Sequence, residues 1–167
     1  MQKGFSFIGV MVATFIASIG MVALFSLSIM SLKGASVGEM RLIASGLAQE
    51  GIEIVRDVRA INIEWSNWEW YSTSTPMVHP VGSSAAYCVQ YNSTALFSCG
   101  EIPLKLNKTT MLYQYDSGDN SPFYRKVILT RISNNQVKVA VEVKWKLIGS
   151  DTSWHSLVAE DRLWKWR

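Results

Sequence analysis

The sequence predicts an α+β fold in which a long N-terminal α-helix packs on a C-terminal antiparallel β-sheet. Three observations carry that expectation. Phe5 to Leu32 form a run of 28 residues without a charge, closed by Lys33. Ser36 to Ala60 place apolar residues at spacings of three, four and seven among charged ones, the pattern of an amphipathic helix. From Tyr87 onward the period shortens to two, as in strands with one buried and one solvated face.

The uncharged run accounts for an unusual composition. Of the 167 residues, 49% are hydrophobic and 17% charged, against about 25% charged in ordinary soluble domains. The remainder of the chain is ordinary globular sequence. Its net charge of +3 is spread without a Lys/Arg block, which gives no reason to expect nucleic-acid binding. As a helix the run spans about 42 Å, more than the roughly 30 Å hydrocarbon core of a bilayer. A secretory signal has an apolar core of only about 7 to 15 residues followed by a small-residue cleavage site, and no such site precedes Lys33. A membrane-resident segment is therefore expected. Only Met1, Gln2, Lys3 and Gly4 stand before it. The single positive charge orients the N-terminus to the cytoplasm and places the rest on the extracytoplasmic side.

The residues Lys3-Gly4-Phe5-Ser6-Phe7-Ile8-Gly9-Val10-Met11-Val12-Ala13 resemble the type IV prepilin signature, a short basic leader ending in Gly, then Phe and an apolar segment. The resemblance covers roughly the first 30 residues. It implies cleavage between Gly4 and Phe5 by prepilin peptidase and N-methylation of the new Phe5 amine. It also implies other pilin subunits as helix-packing partners, with passage from the membrane to a pilus at the cell surface. On this reading residues 1–4 are a leader, 5–33 a transmembrane and filament-core helix, 34–60 its amphipathic half and 61–167 an extracytoplasmic β-rich domain. Most pilins carry Glu at the fifth position after the cleavage point, where it is thought to neutralise a neighbour's N-terminal amine. This chain has Gly9 there. That departure is similar to minor pilins and pseudopilins at the filament tip, which have no subunit above them. Gly9 packing closely against a neighbouring helix is the other explanation. An uncleaved signal anchor carrying a binding or adhesion module is the alternative to the pilin-like reading.

In the amphipathic segment the stripe is Val37, Met40, Ile43, Leu47, Ile54 and Val58. Gly34, Gly38, Gly46 and Gly51 each weaken a helix by roughly 1 kcal/mol relative to Ala; they permit either bending or close packing. Asn62 to Gly82, with Pro76 and Pro80, is expected to be a loop or short-strand connection. Within it Trp65, Trp68, Trp70 and Tyr71 offer an aromatic surface for a sugar or other ligand, or a cap on the helix–sheet core. The cap is favoured, because aromatics dominate small cores.

Strands are expected over Tyr87–Tyr91, Thr110–Tyr115, Phe123–Ile132, Val137–Leu147 and Ser156–Trp166. In the clearest, Val137, Val139, Val141, Val143 and Trp145 face one way and Lys138, Glu142, Lys144 and Lys146 the other. Turns at Ser133-Asn134-Asn135 and Gly149-Ser150-Asp151 make the last three a meander.

Cys88 and Cys99 are the two cysteines. In an extracytoplasmic compartment they form a disulfide more often than a metal site, worth on the order of 3 kcal/mol for a loop of this size. Neither His79 nor His155 has a ligand pattern around it, so no metal or cofactor is expected. No phosphate loop or nucleophile elbow is present, and no enzymatic activity is expected. The run Asp116-Ser117-Gly118-Asp119-Asn120 has the flavour of a calcium loop but lacks its spacing and terminal Glu, and a turn is the better reading.

Overall fold

The computed structural model describes residues 7–61, 80–93, 96–98, 100–146 and 153–165. Helix α1 spans Phe7–Ile61 without a break. The strands follow as β1 (Ser84–Tyr87), β2 (Lys105–Asn107), β3 (Leu112–Gln114), β4 (Asp119–Asn120), β5 (Phe123–Ser133), β6 (Gln136–Lys146) and β7 (Trp154–Trp164). The chain forms two compact units, Met1–Glu39 and Met40–Arg167.

Within the first unit every described residue, from 7 to 39, is exposed. At 1.5 Å per residue this half of α1 runs about 50 Å. Its backbone needs no partner, since each interior amide bonds to a carbonyl four residues earlier.

The second unit is a helix on a sheet. From Met40 onward α1 buries Ala44, Leu47, Ala48, Gly51, Ile52, Ile54, Val55 and Val58. Leu47, Ile54 and Val58 belong to the stripe expected from spacing. Met40 and Ile43 lie half-buried at the edge of the core, and Val37 is exposed. Small residues complete the buried face. A Cβ built on Gly51 would stand 2.8 Å from Val141 Cγ1, whereas one on Gly34, Gly38 or Gly46 meets nothing within 4 Å. Close approach is thus the role of Gly51.

The main sheet is antiparallel with order β1-β5-β6-β7. Val127, Val139, Val141 and Val143 have no more than trace exposure, and Phe123 and Trp145 pack beside them. Side chains alternate across a strand, so the Lys and Glu between the valines fall on the other face. The expected strands for β5, β6 and β7 agree to within two residues. The hairpin turns at Asn134-Asn135, where Ser133 pairs with Gln136; the Gly149–Asp151 turn lies outside the described residues.

The earlier strands differ from expectation. Only Tyr87 of Tyr87–Tyr91 is in a strand; Cys88 makes a single bridge to Phe97 and the chain then turns. Gln90 is the reason. Its buried side chain accepts from the Tyr115 amide at 2.9 Å and donates to Asp116 at 2.6 Å, replacing a ladder with a side-chain tie. Thr110–Tyr115 contracts to β3, which joins a small sheet of order β3-β2-β4. The Asp116–Asn120 run is a bend followed by β4. Gly118 has φ of 121° and lies so close to Leu106 O that a Cβ would stand 2.5 Å from it, a position only Gly fills without strain.

Gly51 and Gly46 make opposite predictions on one helix. Gly51→Ala drives a methyl into Val141, which has no room to yield, and should lower stability by about 1–3 kcal/mol. Gly46→Ala, on the exposed face, should raise it by about 0.5–1 kcal/mol. Denaturant midpoints of the detergent-solubilised protein check both signs.

Candidate functional site

Two surfaces and one buried connection set out what the chain can do chemically. The first surface is the apolar half of α1. Phe7, Phe15, Leu24, Met30 and Leu32 are all more than 60% exposed. The helix is long and apolar enough to cross a membrane by length and composition. Its hydroxyls do not interrupt that character. Thr14 and Ser18 donate to carbonyls three residues earlier, and Ser26 and Ser28 to carbonyls four residues earlier, at 2.7–3.0 Å. A hydroxyl satisfied by its own helix tolerates an apolar surrounding.

Gly9 is exposed on this surface, and a Cβ there meets nothing within 4 Å. Nothing in its own chain requires glycine at that position. Gly4, Phe5, Trp65, Trp68, Trp70, Tyr71 and Cys99 lie outside the described residues. Cys88 is 2% exposed, with its amide and carbonyl paired to Phe97, and no cysteine among the described residues is a free thiol.

The connection is Arg125, which alternation places on the inward face of β5. Its side chain has no exposure. Nη1 stands 3.2 Å from Glu50 Oε1 and donates to Leu47 O at 3.3 Å; Nη2 donates to Val89 O at 2.8 Å. One guanidinium therefore joins helix, sheet and the segment after β1. Its own carbonyl accepts from the Tyr115 hydroxyl at 2.8 Å. The Glu50 side chain is 35% exposed, so it keeps water if Arg125 is removed, whereas removal of Glu50 leaves a buried charge short of its counter-ion. His155 stacks on Trp145, with ring centroids 5.7 Å apart and planes 24° apart, and its ring serves packing.

The second surface is the outer face of the sheet, opposite α1, where a cavity of about 350 Å³ opens. Register builds its floor. Tyr124, Lys144 and Ser156 sit on one rung, and Lys126 and Glu142 on the next. Trp154 closes one end, edge-on to Tyr124 with centroids 5.2 Å apart and planes at 79°. The Lys146 ammonium lies 4.5 Å from the Trp154 ring centroid. Gly100, Glu101 and Ile102 form a wall, held by the bond from the Leu104 amide to Phe123 O. The sequence pattern marks these residues only as solvated sheet positions; their convergence follows from register, which no single strand encodes.

Tyr115 gives the core a pH dependence. Burial pushes its phenol above the usual value of about 10, and the nearby Arg125 charge pulls partly back. Burial also raises Tyr87 and Tyr113. A group whose folded value is raised contributes stability fully present below the unfolded value and lost as pH climbs through the folded one. Stability should therefore hold to about pH 10 and fall above it. Tyr115→Phe should lose about 0.5–1.5 kcal/mol at neutral pH yet decline less steeply in alkali, measured by denaturation at stepped pH. No protein-family model, curated protein or solved structure matches this chain.

Proposed function

We propose that the protein is a structural subunit of a type IV pilus or related pseudopilus. Its apolar helix would lie first in the cytoplasmic membrane and then among neighbouring helices. The observation that carries this reading is the division of α1. Residues 7–39 are exposed, and 7–32 of them carry no charge, while Ala44 to Val58 seat the same helix on an antiparallel sheet. Burial is the mechanism: a long apolar surface is satisfied by lipid and, with similar chemistry, by the apolar flanks of other subunits. The prepilin-like residues around Gly4 and Phe5 support the same reading, with prepilin peptidase as processing partner and the domain from Met40 onward extracytoplasmic. On this reading the protein is not an enzyme. A Cys88–Cys99 disulfide fits that compartment and is supported by the absence of a free thiol at Cys88.

The outer-face cavity favours one second reading, a binding module held by an uncleaved anchor. Intact mass after co-expression with a prepilin peptidase separates the two. Loss of Met1–Gly4 with gain of one methyl on Phe5 is expected; an intact Met1 sinks the pilin reading.

Within the pilin reading we place the subunit at the filament tip. Gly9 leaves no carboxylate for a neighbour's amine, and nothing within its own chain explains glycine there. Immunogold labelling should mark filament ends, and Gly9→Glu should spread label along the shaft. Shaft labelling by the unaltered protein overturns the tip assignment.

A further inference from the structure

We propose that the outer-face cavity is a binding site for a neutral saccharide. The volume of about 350 Å³ falls within the roughly 300–1,000 Å³ of small-molecule sites. Its chemistry narrows the class.

An apolar ligand fits poorly, because Lys126, Lys144, Glu142 and Glu101 would lose hydration to a partner that returns no hydrogen bonds. A strongly anionic ligand fits poorly as well. Two ammonium groups and two carboxylates line the cavity, so its lining is balanced in charge, with the Lys146 ammonium beyond it on the Trp154 ring. The one further cation at the lining, Arg125, turns its guanidinium inward to Glu50. What remains is a neutral molecule with many hydroxyls and an apolar face. Each sugar hydroxyl both donates and accepts. Glu142 and Glu101 accept only, Lys126 and Lys144 donate only, and Ser156 does both.

These groups hold capacity in reserve. Glu142 and Lys144 stand 3.6 Å apart, beyond a true hydrogen bond. Among the described residues, Lys126 and Glu101 enter no ion pair. The aromatic part is equally suited. Trp154 remains 51% exposed at the cavity's end. Tyr124 fixes it edge-on, and such pairs are worth about 0.5–1.5 kcal/mol beyond area. With Lys146 on one side of the ring, the exposed remainder of the held indole offers a flat apolar surface to the C–H face of a pyranose ring. Sheet register spaces the polar groups beside it, so the site sits on rigid elements.

The test uses the full-length protein in a phosphocholine detergent, since sugar-headed detergents would compete. Glucose, galactose, N-acetylglucosamine and their β-linked disaccharides are titrated by saturation-transfer NMR and calorimetry. At least one should bind, and Trp154→Ala should weaken it about tenfold or more, a difference of about 1.4 kcal/mol. Trp164→Ala is the control, because Trp164 is 54% exposed on the same strand and outside the cavity; affinity should be unchanged. If Trp154→Ala lowers the thermal midpoint, Glu142→Gln and Ser156→Ala read the same site and should each weaken binding. Absence of binding by every sugar overturns the proposal. So does equal loss in the Trp164 variant, or binding of inorganic pyrophosphate alone that fades with salt. None of these outcomes depends on whether Gly4–Phe5 is cleaved.

Discussion

A guanidinium without solvent exposure holds the second unit together. Arg125 enters from β5; its Nη1 meets Glu50 and the Leu47 carbonyl on α1 and its Nη2 the Val89 carbonyl after β1, while Nε is buried without a hydrogen-bond partner among the described residues. A charge at that depth is tolerated only with its partners in place. The partners lie on two segments and the arginine on a third, so the three are tied together. The small face of α1 follows from this constraint. Gly51 places the helix against Val141, with the Arg125 stem 3.4 Å from the Cβ position, and a larger residue would push the helix away from the group it must satisfy. A purely apolar contact would accept several helix positions, whereas this charge is satisfied where Glu50 and the Leu47 carbonyl meet it.

The two halves of α1 answer to different surroundings under one set of backbone rules. From Phe7 to Leu32 no side chain is charged, and the hydroxyls of Thr14, Ser18, Ser26 and Ser28 turn back on the helix. After it the buried side narrows to one face, and charges appear on the other. Arg56 there meets Asp161 of β7 at 2.9 Å, beside its helix neighbour Glu53. That outer pair is solvent-exposed and contributes little; Arg125 and the valine layer dominate.

Much of this was legible in the residues. Strict alternation from Gln136 to Lys146 fixes the faces of β6, and length plus absence of charge defines the apolar helix. Arg125 was not legible, because between Tyr124 and Lys126 it looks like one more solvated charge in an alternating strand. Its inward position emerges only when Val127 and Leu129 set the phase. Ala44, Ala48 and Gly51 were missed as buried because a hydrophobicity pattern weighs side-chain size, and here closeness matters more. Strands β2 and β4, of three and two residues, are too short to show a period. The cavity was hidden for another reason: its residues come from four strands and a wall segment, and only pairing brings them together.

The inward-turned hydroxyls of α1 have a mechanical side. From Phe7 to Met30, all four donate within the helix, which leaves its flank without a hydroxyl donor for a neighbour. Contacts along such a flank depend on shape alone. Moving one such helix past another would change packing by degrees and rupture no side-chain hydrogen bond. In the filament proposed for this subunit, such contacts would let one helix shift along another before the rod parts.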